Sequence, residues 1–168
     1  MRIIGILLIA AAAVYGGGSY TALKREQLNE LDALCHTLRL MQDELETRAL
    51  PLPELAAQLD TRTENAGKAL LSGLLRRLPE LGSRDFQNIW EECVTESVKH
   101  SEEAARLLCT LGSFLGRYDV DSQLEAIRSC RETLEKLRTT AAEALPQTRR
   151  LGMGLALTSG ALIVITLI

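Results

Sequence analysis

The chain has 168 residues, 46% of them apolar and 4% aromatic, with 19 basic against 22 acidic side chains and a formal net charge of −3. That length holds one domain of ordinary size. The slightly acidic balance, without clustered Lys or Arg or interleaved aromatics, excludes a surface built to displace counterions from nucleic acid.

A mean hydropathy of +0.05 hides a segregation of charge from apolar residues. Every acidic residue, and every basic one except Arg2, lies between two uncharged stretches at 3–23 and 151–168. A membrane helix needs about 17–25 mostly apolar residues to cross a hydrocarbon core. Both stretches meet that length, so residues 24–150 are expected to be tethered to a bilayer at both ends.

The first stretch has two readings. Arg2, the apolar run 3–9 and the small residues 10–13 resemble a secretory signal that is cleaved. The uncharged run nevertheless continues to Leu23 and stops at Lys24 and Arg25, which suits a retained helix better. Gly16, Gly17 and Gly18 then form either a notch for close helix packing or the place where the helix simply ends near Tyr15.

The central residues carry helical periodicity throughout and no strand-like alternation. Leu28, Leu31, Cys35, Leu38 and Leu45 recur at three- and four-residue steps, with Leu34 and Met41 widening the stripe. That helix is expected to end before Pro51-Leu52-Pro53, with a short helix over 54–59 and a polar break at 60–63. Ala66, Leu70, Gly73, Leu74 and Leu78 mark the next face, stopped by Pro79 and Gly82. Phe86, Ile89, Trp90, Cys93 and Val94 mark another, beginning near Arg84 and Asp85. A helix over 102–111 follows. The last long helix is expected to start at Asp121 or Ser122, along Leu124, Ile127, Leu134, Leu137 or Arg138, Ala141 and Leu145, with a kink at Pro146. The predicted fold is therefore all-α: an antiparallel bundle of about five to six helices flanked by two transmembrane helices. Its two long outer helices pair, and the shorter ones cap that pair at its far end.

The second apolar stretch places Gly152, Ala156 and Gly160 four residues apart, the small-residue pattern of close membrane-helix contact. Lys24, Arg25, Arg149 and Arg150 lie on the inner sides of the two spans, which puts the central domain in the cytoplasm.

No constellation for catalysis emerges. Cys35, Cys93, Cys109 and Cys130 lack the close spacing of a metal site, and His36 and His100 do not supply it. The carboxylate pairs Asp43-Glu44, Glu91-Glu92 and Glu102-Glu103 read as solvated helix faces. No phosphate-binding loop, nucleophile elbow or zinc-protease motif is present. Neither span contains an ionisable group. No cofactor and no metal are expected.

The most specific stretch is Leu111, Gly112, Ser113, Phe114, Leu115, Gly116, Arg117, Tyr118 and Asp119, followed by Gln123 and Ile127. This LGxxLGxxD…Q…I pattern resembles that of the stage III sporulation protein AB family. The Pro-Leu-Pro segment at 51–53, Trp90 about twenty residues before the motif and the Gly-rich apolar tail agree with it. The turn after Gly116 is less charged, and the cysteines more numerous, than is usual in that family. The resemblance implies a helical cytoplasmic domain similar to the inner-membrane platform protein of type II secretion and type IV pilus machines. It implies a place in the mother-cell half of a channel toward the forespore, with a secretion-type ATPase and membrane-ring components as neighbours.

Gly112 and Gly116, four apart, would align on a continuing helix and admit a neighbouring backbone. Alternatively, Gly116 ends the helix and Asp119 or Asp121 caps the next. Gly112, Gly116, Arg117, Asp119 and Gln123 are accordingly the candidate partner-binding residues. The leading function is a non-catalytic membrane platform for that channel, with self-association an open possibility. The alternative is an exported, C-terminally anchored sensor or binding domain with a cleaved signal.

Overall fold

The computed structural model describes the backbone of residues 2–115 and 119–167, and the side chains of 22–115 and 119–144. Among the described residues the regular structure is helical, with no strand. The elements are α1 (Arg2–Arg48), α2 (Leu52–Asp60), α3 (Asn65–Arg77), a 3-10 turn (Leu78–Glu80), α4 (Phe86–Ser97), α5 (Glu102–Gly112) and α6 (Val120–Leu167). The chain forms two compact units. One comprises Met1–Glu26 with Thr140–Ile168, and the other comprises Gln27–Thr139. Among the described residues no helix is long and apolar enough to cross a membrane. The spans expected at 3–23 and 151–168, and with them Gly16, Gly17, Gly18, Gly152, Ala156 and Gly160, lie outside the described side chains except for Ala22 and Leu23.

Local chemistry sets the helix ends in the Gln27–Thr139 unit. α1 stops where Ala49 takes a left-handed φ of 47°, two residues before Pro51, which cannot extend a helix. Pro51 and Pro53 then sit at the start of α2, where a missing N–H costs nothing. Gly82, at φ 109°, turns the chain after the 3-10 segment. Ser101 accepts the Ala104 amide at 3.3 Å to cap α5, and Glu102 and Glu103 complement its N-terminal dipole. α6 begins at Val120, one residue earlier than expected. Asp119 caps it, its carboxylate accepting from the Ser122 amide at 3.3 Å and the Ser122 hydroxyl at 2.8 Å. The helical backbone of α6 carries on through Pro146 to Leu167, so the proline expected to kink the helix does not end it.

The core draws on every helix of this unit. α1 contributes Leu31, Leu34, Leu38, Met41 and Leu45, each 5% exposed or less. Leu28 and Cys35, expected on the stripe, are only half-buried at its side. The true seam is the one that Leu34 and Met41 were expected merely to widen. Leu55, Leu70, Leu74, Ile89, Trp90, Leu108, Ile127 and Leu134 complete the interior, all nearly without exposure.

α1 and α6 run antiparallel within the unit. Asp32 pairs with Arg138 near one end, and Glu46 with Arg128 at 3.5 Å near the other. The shorter helices do not cap this pair at its far end, as the sequence suggested. They lie alongside it. Gly67 of α3 is so close to α1 that an added Cβ would stand 1.9 Å from the Thr37 hydroxyl. The α4–α5 turn comes back to Glu30, whose carboxylate accepts the amides of Lys99 at 2.8 Å and His100 at 3.1 Å. The reason is area: α1 has a long apolar seam, and only helices laid beside it remove that seam from water.

Candidate partner-binding groove

The end of this unit opposite Gln27 and Thr139 is open. Residues far apart in sequence meet there: the α1–α2 connection, the 3-10 turn, the start of α4, the end of α5 as far as Leu115, and the first turn of α6. They enclose a groove of about 530 Å³, lined by Leu45, Leu50, Pro51, Leu52, Pro53, Leu78, Leu81, Phe86, Gly112, Leu115 and Val120, with Asp85, Gln87, Ser113 and Gln123 as its polar members. Leu45 and Leu115 are buried at its base, whereas Leu81 is 39% and Val120 38% exposed at its rim.

The wall behind the groove is rigid because α4 and α5 interlock there. Trp90 is fully buried and donates its indole N–H to the Leu108 carbonyl at 2.6 Å. Phe86 stacks on it at 6.0 Å between ring centroids. Gly112 lies one helical turn beyond Leu108, and a Cβ there would come within 2.2 Å of Trp90 Cδ1. Only glycine lets the indole lie against α5 in this way.

Gln87 is the odd polar group of the wall. Its amide nitrogen donates to the Cys109 carbonyl at 3.0 Å and to the Glu91 carboxylate at 2.6 Å. Both partners are pure acceptors, which fixes the amide orientation. Its Oε1 is consequently buried with no hydrogen-bond partner among the described residues.

No cysteine lines the groove among the described residues. Burial raises the Cys109 thiol on α5, with Glu91 adding to the effect. Elsewhere in the unit burial pushes Cys35 up to about 11 and Cys130 up to about 12. It also raises Cys93, against the nearby Arg77 guanidinium. A thiol held protonated is a poor nucleophile and a poor metal ligand. The hydrogen bonds from Ser122 hold the Asp119 carboxyl below its usual range, as a helix cap should.

Of the candidate residues, the structure brings Gly112 and Gln123 to the same groove. It makes Asp119 the cap of α6. Gly116 and Arg117 lie outside the described residues. Leu81, Gln87 and Val120 escaped the sequence reading. Leu81 follows a helix break, Gln87 looks like any solvated glutamine on α4, and Val120 is a lone apolar residue at a helix start. Pro51 to Pro53 stood out as the stop of the first long helix and through the family likeness.

The family model of stage III sporulation protein AB matches residues 2–168. The chain belongs to this family. A solved structure of stage III sporulation protein AB (SpoIIIAB) is similar with a TM-score of 0.62 at 21% identity, over 72% of this chain and 97% of that one. At that identity the likeness speaks for the fold. No curated protein matches the chain. Membership in the stage III sporulation protein AB family places the protein in sporulation, and both Gly112 and the Pro-Leu-Pro segment of the family likeness fall on the groove.

Proposed function

We propose that this protein is a non-catalytic platform of a secretion-like channel between mother cell and forespore. Helices at 3–23 and 151–168 anchor it in the mother-cell membrane around the forespore. The helical unit between them faces the cytoplasm and docks a secretion-type ATPase together with membrane-ring subunits. The observation that carries this reading is the groove. Family membership supplies the process, and the stretches behind the family resemblance converge on an open apolar surface rather than on reactive groups. A surface of that kind suits assembly.

Two measurements on the full-length protein in sporulating cells test the proposal. Single cysteines at exposed positions such as Thr95 or Glu103, on a cysteine-free background, should react with an impermeant reagent only after lysis. An affinity tag should bring down the ATPase and ring subunits. Labelling of intact cells, with a shortened N-terminus, would instead establish the exported binding domain.

A further inference from the structure

We draw no further inference here: the strongest candidate, the apolar cleft between α5 and α6 lined by Leu107, Leu111, Ala126 and Cys130, is an open apolar face, and nothing in the structure shows what covers it.

Discussion

The two ends of the Gln27–Thr139 unit treat their polar groups in opposite ways. At the end near Glu30 the polar groups drawn into the protein are answered from within. The Glu30 carboxylate, 6% exposed, takes the amides of Lys99 and His100. Ser97 donates to the Cys93 carbonyl at 2.7 Å, and Ser101 caps α5. At the other end Leu81 and Val120 stay exposed, and Gln87 Oε1 has no hydrogen-bond partner among the described residues. The first end is consumed by folding, because an unpaired buried carboxylate would destabilise the unit by several kcal/mol (~3–5). The second end leaves apolar side chains exposed at the rim of the groove.

That contrast can be broken at several points. The largest effect is expected at Trp90, which serves the wall behind the open end as well as the core. Trp90→Ala should cost about 3–5 kcal/mol in chemical denaturation. Gly112→Ala should cost about 1–3 kcal/mol by forcing a methyl into the indole. The two should be strongly non-additive, since removing the ring removes the clash. Additive losses would mean that the ring and Gly112 do not constrain each other.

At the closed end, Glu30→Ala leaves two amides without their acceptor and should cost about 1.5–3 kcal/mol. Amide exchange should quicken locally at Lys99 and His100. A substitution that leaves both protected would show that the α4–α5 turn holds itself.

Alkaline pH probes the buried thiols. The folded state holds Cys130 near 12, above the ordinary thiol value of about 8.5. As pH rises past that value the unfolded chain loses the proton and the folded chain keeps it. Stability should therefore be flat below pH 8 and fall by about 1–2 kcal/mol by pH 10, a decline that Cys130→Ala should reduce. Denaturation at the two pH values reads the difference directly.

A gain is expected at Gly73, where an added Cβ would meet Cys93 Sγ at an unstrained 3.6 Å. Gly73→Ala should stabilise the unit by about 0.5–1 kcal/mol through helix propensity. This glycine is the counterpart to Gly112, and opposite signs at the two positions would separate a functional close approach from a merely permissive one.

Legibility followed the physics of each region. The α4 face of Ile89, Trp90, Cys93 and Val94 was readable because its apolar residues occupy a single column. On α1 the columns overlap. Leu28 and Cys35 compete with Leu34 and Met41, and only the neighbours that pack against the helix decide which column faces inward. Gly67 gave no signal, since a lone glycine in a first turn looks like a helix start until Thr37 is found against it. The groove was not readable as a groove. Its parts lie at 45–53, 78–87, 112–115 and 120–123, and Gln87 acquires meaning only when Cys109 and Glu91 claim its nitrogen. Asp119 was readable only as one of two caps, beside Asp121, and the hydrogen bonds from Ser122 decide for it.

The most direct test of the contrast pairs stability with function in one protein. Leu81→Ser and Val120→Ser together should leave the unit within about 0.5 kcal/mol of wild type, as exposed substitutions do. This double variant should melt normally and accumulate in the cell, yet yield few heat-resistant spores. A normal spore count from a normally folded rim variant would contradict this expectation, because the open end would then have nothing to do.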